Sequence, residues 1–222
     1  MAGKGHKRGT PQGGVASPLL ANIYMNRFLK HWRLTGCGEA FRAHVVSYAD
    51  DFVILSRGRA VEALAWTKAV MTRLGLTLNE AKTSVKDARR EGFDFLGYTL
   101  GPRHLPNGGR WYLGASPSKK SVQRVKLKIV ACAGQQGTWD EVRTRLNRVL
   151  RGWSAYFSYG ALASAYEAVD QHVYDRTRHF LRQRHKVQGR GTDQFSRSYV
   201  YGELAVRCLR RERSRSSPWA LR

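Results

Sequence analysis

His44-Val45-Val46-Ser47-Tyr48-Ala49-Asp50-Asp51-Phe52-Val53-Ile54-Leu55 decides how this chain is read. Two short runs, His44 to Tyr48 and Phe52 to Leu55, are rich in β-branched and aromatic residues, and Ala49-Asp50-Asp51 separates them. That pattern predicts a β-hairpin with carboxylates at its turn. Asp is a common turn residue, so an exposed polar turn is one reading. The other is a cation site, because two adjacent carboxylates repel each other unless a divalent metal lies between them and solvent.

Upstream, residues 1–14 are Gly-rich and basic and read as a loop ending in Gly9-Thr10-Pro11-Gln12-Gly13-Gly14. Ser17 as cap and Pro18 in the first turn open a helix that runs through Ile23 towards Trp32. Downstream, Gly58 ends the hairpin, and Val61, Leu64, Met71 and Leu74 recur at helical spacing until Gly75. Short strands are predicted around Thr77-Leu78 and Thr83 to Val85. A second hairpin is predicted from Phe93 to Leu100 and Arg110 to Leu113, turning at 106–109. Residues 40–115 therefore read as β and α elements around one small antiparallel sheet.

Strand signals cease at Ser116-Pro117. Val122, Val125, Ile129 and Cys132 step by 3, 4 and 3, and Val142, Leu146, Val149, Trp153 and Tyr156 by 4, 3, 4 and 3. Leu162, Tyr166, Val169 and Val173 keep the period, so three amphipathic helices follow, broken at 134–137 and Gly160. The fold class is α+β, with an α/β part over 1–115 and an all-α part over 116–222. Arg210 to Ser217 reads as a frayed, biased segment.

The 222 residues carry a net charge of +23, with a pI of about 10.7. Such a charge opposes compaction until a polyanion neutralises it, which makes nucleic acid the leading partner and an anionic membrane surface the rival. From residue 176 to the end there are 13 Lys/Arg against 3 Asp/Glu, a polyanion-binding or solvated tail. No apolar run has membrane-spanning length and the N-terminus has no signal-peptide character, so a cytoplasmic protein without membrane contact is expected. Cys37, Cys132 and Cys208 are too widely spaced for a zinc knuckle or disulfide framework, so neither zinc nor another structural metal is expected. They read as small apolar residues in thiol form.

Apolar flanks, the preceding Tyr48 and the basic chain favour the cation reading of Asp50-Asp51, because nucleotidyl transfer uses paired metals to clamp the attacking and leaving oxygens. Tyr48-Ala49-Asp50-Asp51 resembles the metal-binding palm motif of reverse transcriptases. Gly9-Thr10-Pro11-Gln12-Gly13-Gly14-Val15-Ala16-Ser17-Pro18-Leu19-Leu20-Ala21-Asn22-Ile23-Tyr24 is similar to the preceding palm block of group II intron reverse transcriptases. Leu74-Gly75-Leu76-Thr77-Leu78-Asn79 with Lys82-Thr83, and Gly92-Phe93-Asp94-Phe95-Leu96-Gly97-Tyr98, resemble the two blocks that follow. Leu146-Asn147 with Arg151-Gly152-Trp153-Ser154-Ala155-Tyr156-Phe157 resembles the maturase-specific domain of the same proteins. The resemblance is collinear and spans nearly the whole chain.

It implies a partial right-hand polymerase palm followed by a helical thumb and maturase region. Asp50 and Asp51 would be the catalytic, Mg²⁺-binding carboxylates, and Tyr48 would line the primer terminus or nucleotide pocket. Pro11, Gln12 and Gly13 would lie against template or nucleotide; a flexible tail is the alternative. Lys82 would face the nucleotide phosphates; a solvated lysine after a turn is the alternative. Gly97 would permit close approach of primer backbone; a β-bulge is the alternative. Lys126, Lys128, Arg145, Arg148 and Arg151 are candidates for RNA phosphate contact, each also readable as a solvated helix face. Trp153, Tyr156 and Phe157 read as core on their spacing, with base stacking as the alternative, Trp153 and Tyr156 being the RNA-binding candidates.

The chain departs from the family in one respect. Relatives carry fingers and an earlier palm block upstream, with another metal-ligating Asp on a separate strand, and no Asp or Glu here precedes Glu39. The expectation is an incomplete Mg²⁺ site, an unpaired sheet edge, and partly uncovered Phe41, Val45 and Val53. Expected partners are group II intron RNA, an RNA template with DNA primer, and an upstream reverse transcriptase fragment supplied in trans. For this chain alone, RNA binding ranks ahead of polymerisation, with a non-functional intron remnant as the remaining alternative.

Overall fold

The computed structural model describes residues 16–104, 110–134 and 137–211, which divide into two compact units between Lys86 and Asp87. The Thr-Pro-Gln-Gly loop with Pro11, Gln12 and Gly13, the 106–109 turn, and most of the 210–217 tail lie outside the described residues.

In the first unit, α1 spans Ser17–Leu34 and a short α2 spans Cys37–Ala40. The hairpin follows as β1 (Ala43–Tyr48) and β2 (Asp51–Ser56), then α3 (Ala60–Arg73). Pro18 sits in the first turn of α1 as expected, where its missing N–H costs nothing. Ser17 is not the cap: Ala16 precedes the helix and no side chain caps it. The strands pair antiparallel from Ala43 opposite Ser56 to Tyr48 opposite Asp51. Alternation puts Ala43, Val45, Phe52 and Ile54 on the face that packs on Phe28 and Trp32 of α1 and Trp66 of α3. Phe28 lies 5.4 Å from Phe52 and Trp32 lies 5.3 Å edge-on from Trp66, centroid to centroid.

Phe41, Val45 and Val53 are each half-buried, as anticipated. On the opposite face, Val46, Tyr48 and Leu55 are exposed, as are Leu19, Leu20, Ile23 and Tyr24 along α1. The buried stripe of α3 is Ala63, Thr67, Val70 and Met71. Val61, expected on that stripe, is 68% exposed because it lies about half a turn round the helix from Ala63, Thr67 and Val70. After α3, Gly75 adopts a left-handed φ of 71° and stops the helix. The two strands expected near 77–78 and 83–85 do not form. Asn79 instead anchors a turn, its carbonyl accepting from Lys82 N at 3.0 Å and from Thr83 N at 2.9 Å. Thr83 Oγ1 also donates to Asn79 O at 2.8 Å, so the start of the second expected strand is spent on this turn.

The second unit opens with a three-stranded antiparallel sheet in the order β3 (Phe93–Phe95), β4 (Tyr98–His104), β5 (Trp111–Pro117). The expected strand from Phe93 to Leu100 is thus two strands, because Leu96 (φ 49°) and Gly97 (φ 78°) make a two-residue turn between Phe95 and its partner Tyr98. Both central residues at positive φ is the turn geometry that matches strand twist. The single sheet expected over 40–115 is therefore two sheets. Strands do end at Pro117, but the compact unit begins thirty residues earlier than the change in composition.

The expected helices follow as α4 (Lys119–Gly134), α5 (Trp139–Tyr156) and α6 (Ala163–Arg184), with a π-helical turn at Tyr199–Glu203. Val125, Ile129, Val142, Leu146, Leu150, Val169 and Val173 form a fully buried core, joined by Val200, Val206 and Leu209 from the C-terminal segment. Burial of each such side chain contributes roughly 1.5–3 kcal/mol, so this core is the main stabiliser of the unit.

Candidate functional site

The acidic turn is built tightly. Asp51 is the first residue of β2 and pairs with Tyr48, leaving Ala49 and Asp50 as a two-residue loop. Ala49 takes a φ of 53°, a conformation that costs a residue with a Cβ roughly 1–2 kcal/mol. Strain of this kind collects where a side chain must be aimed, here the Asp50 carboxylate beside Asp51. Both carboxylates are exposed, and Tyr48 beside them is 66% exposed.

Their chemistry fits part of a Mg²⁺ shell: hard oxygen donors, adjacent and open, of the kind completed by waters and substrate phosphates. No group of three or more His, Cys, Asp or Glu side chains able to hold a metal comes together among the described residues. Lys82 belongs to the same unit and is exposed in the Asn79–Thr83 turn.

Gly97 lies in the second unit, and the structure makes it a turn glycine rather than a bulge. Its carbonyl accepts from Ser118 N at 2.9 Å and Ser121 Oγ at 2.8 Å, and a Cβ there would stand 3.0 Å from Ser121 Oγ and 3.2 Å from the Phe157 ring. Tyr156 joins this assembly. Its hydroxyl donates to Leu96 O at 2.8 Å, while Tyr98 donates to Tyr156 O at 2.9 Å. The Tyr156 ring nevertheless remains 57% exposed. Trp153 is half-buried against Phe157 and Tyr166, 5.0 and 5.8 Å away, and its buried Nε1 has no partner among the described residues. Phe157 itself is buried.

The basic residues divide by helix. Lys126 on α4 is half-buried, whereas Lys128 is exposed; burial first, and the Lys126 charge second, depress the basicity of His172. Arg148 and Arg151 are exposed neighbours on α5. Arg145 is half-buried, and two of its guanidinium nitrogens are buried without a hydrogen-bond partner among the described residues.

Two features escape the sequence. First, Asn147 and Asp170 clamp the C-terminal segment. Asn147 donates to Ala205 O at 3.0 Å and accepts from Arg207 N at 2.8 Å. Buried Asp170 accepts from Leu209 N at 2.9 Å and Arg210 N at 3.1 Å, and burial pushes its carboxyl above the usual range despite those donors. Second, His172, Asp175, Arg176, Arg178, His179 and Arg182 of α6 line a cleft with Arg190. Their spacing of three and four along one helix was readable; the return of Arg190 was not.

No helix among the described residues is long and apolar enough to cross a membrane. Residues 2–100 match the family of the reverse transcriptase (RNA-dependent DNA polymerase), and residues 122–200 match the group II intron maturase-specific domain. Among curated proteins, protein YkfC of Escherichia coli (strain K12) is 28% identical over 144 residues, covering 51% of this chain and 38% of that protein. The chain thus spans well under two thirds of that relative's length. With the acidic palm turn in one unit and the three-helix core in the other, these two collinear matches show that the chain belongs to the group II intron reverse transcriptase/maturase family.

Proposed function

We propose that the chain binds group II intron RNA through its second unit and assists intron splicing and mobility. The observation that carries this reading is the +23 charge, whose phosphate-reaching members Lys128, Arg148 and Arg151 stand exposed on helices packed round a complete core. Phosphate contacts of that kind supply affinity that falls with salt, with a slope near one per contact. The test is intron RNA affinity across a salt series, with unrelated RNA as competitor. A steep slope with preference for intron RNA is expected. A flat slope sinks the phosphate clamp, and equal affinity for both RNAs removes the maturase role and leaves an intron remnant.

A second reading concerns RNA-directed DNA synthesis on a template with a DNA primer, and rests on the Tyr48–Asp51 turn. Asp50 and Asp51 would hold Mg²⁺, which neutralises charge on the oxygens exchanged at phosphorus. Asp50 would be the direct ligand, held in place by the strained Ala49 turn, with Asp51 beside it on the first rung of the hairpin. Tyr48, on the same rung, would border the primer terminus, and Lys82 would meet the nucleotide phosphates. A further carboxylate would have to come from a segment other than these 222 residues, in a longer chain or in trans. Primer extension with Mg²⁺ or Mn²⁺, with and without such a segment, checks this. Activity only with it, abolished by Asp50→Asn, is expected; extension by these 222 residues alone would overturn the need for it.

A further inference from the structure

Helix α6 ends in a way that builds a concavity. Lys186 N bonds to Gln183 O at 3.4 Å and Val187 N to Arg182 O at 3.0 Å, a helix stop that reverses the chain through left-handed Lys186, Gly189 and Gly191. Arg182 Nη1 donates to Gly189 O at 3.0 Å and pins the returning segment beside the helix. The return carries Arg190 back to α6, closing a cleft of about 330 Å³ lined by four arginines, two histidines and a single carboxylate.

That carboxylate is already engaged. Asp175 accepts from Gln171 at 2.9 Å and from Arg178 at 3.3 Å, and Arg178 in turn lies over the Tyr174 ring. Arg176 and Arg190 have no hydrogen bond or ion pair among the described residues. His172 Nε2 is buried with no hydrogen-bond partner among the described residues, and Lys126 of α4 adds positive charge nearby. Guanidinium groups converging on a concave wall, with an orphaned imidazole nitrogen, ask for a compact oxyanion presenting several acceptors.

We propose that this cleft is a phosphate-binding site in which Arg176, Arg182, Arg190 and His172 take one phosphodiester of a bound RNA strand. The site rests on the RNA-binding reading above and adds to it a fixed point of register, since a cleft holds one phosphate where an exposed helix face slides along many.

The experiment uses the full chain and a single-stranded RNA of generic sequence. Binding is followed across salt for wild type, for Arg176→Gln/Arg190→Gln and for Arg190→Gln alone. Ring C–H resonances of His172 and His179 are followed on titration with the RNA and, separately, with inorganic phosphate at matched ionic strength. The expected result is weaker binding, a salt slope lower by about one per arginine removed, and histidine resonances that move with RNA. Arg190 is exposed, so its single variant keeps the test open should the double variant fail to fold. Unchanged slope in folded variants, while wild type still binds, overturns the cleft and leaves the general RNA-binding reading standing. No salt-dependent binding by wild type removes that reading itself. Histidine shifts with inorganic phosphate that RNA does not displace would assign the cleft to a small phosphate and overturn the RNA proposal.

Discussion

Single residues in this protein are held against their preferences in two informative places. Ala49 pays for its left-handed φ at the acidic turn. Ala49→Gly removes that steric cost while giving the unfolded chain more freedom, so stability is expected to hold or rise by up to about 1 kcal/mol in urea unfolding. A clear loss would mean the Ala49 methyl packs on something the turn needs. Asp170 is held as a buried acceptor with its pKa raised by burial. A group raised in the folded state gives its full contribution below the ordinary Asp range and loses it as pH rises through the raised value. Asp170→Asn keeps an acceptor for one of Leu209 N and Arg210 N, which Asp170 meets with separate oxygens, and deletes the titration. Relative to wild type, the variant is therefore expected to gain stability as pH climbs from about 3.9 upward; parallel unfolding midpoints across that range would contradict it.

At the scale of elements, the helix ends carry measurable energy. Thr138 and Glu141 form a reciprocal cap at the start of α5: Thr138 N donates to Glu141 Oε2 at 2.9 Å and Glu141 N to Thr138 Oγ1 at 3.4 Å. Thr138→Ala is expected to cost about 1 kcal/mol in urea unfolding. The stop of α6 places Lys186 at a φ of 51° where glycine is favoured. Lys186→Gly is expected to leave the fold intact and stabilise it by up to about 1 kcal/mol, read as a higher thermal midpoint. The Thr138–Glu141 cap is legible as a residue pattern; the stop at Lys186 is not, because Lys carries no signal for a left-handed position. Nor is the Leu96–Gly97 turn, because Leu at a position needing positive φ carries no turn signal and the flanking residues read as one continuous strand.

For the whole molecule, the second unit has its own core and ties its C-terminal segment back onto α5 and α6. Residues 87–222 expressed alone are expected to give a cooperative unfolding transition and to retain salt-dependent RNA binding. A fragment lacking either would show that the first unit supplies more than the acidic turn. In the first unit, Leu19, Ile23, Val46 and Leu55 are exposed apolar side chains, so its isolated stability rests on the Phe28, Trp32 and Trp66 cluster.

The sequence by itself determined the helices of the second unit and the hairpin around Asp50 and Asp51. Periods of 3.6 and 2 are local properties, and each residue there agrees with its neighbours. It also determined the ancestry, because the motif blocks lie in collinear order. Tertiary structure decided the rest. Whether residues 40–115 make one sheet or two depends on which strands meet, and a strand's pattern names its buried face but not its partner. Asn147 and Asp170 are ordinary polar residues on helices until segments 58 and 39 residues later in the chain dock on them. Arg190 joins the α6 cleft only because Lys186, Gly189 and Gly191 turn the backbone left-handed, and side-chain chemistry alone does not say where a reversed chain comes to rest.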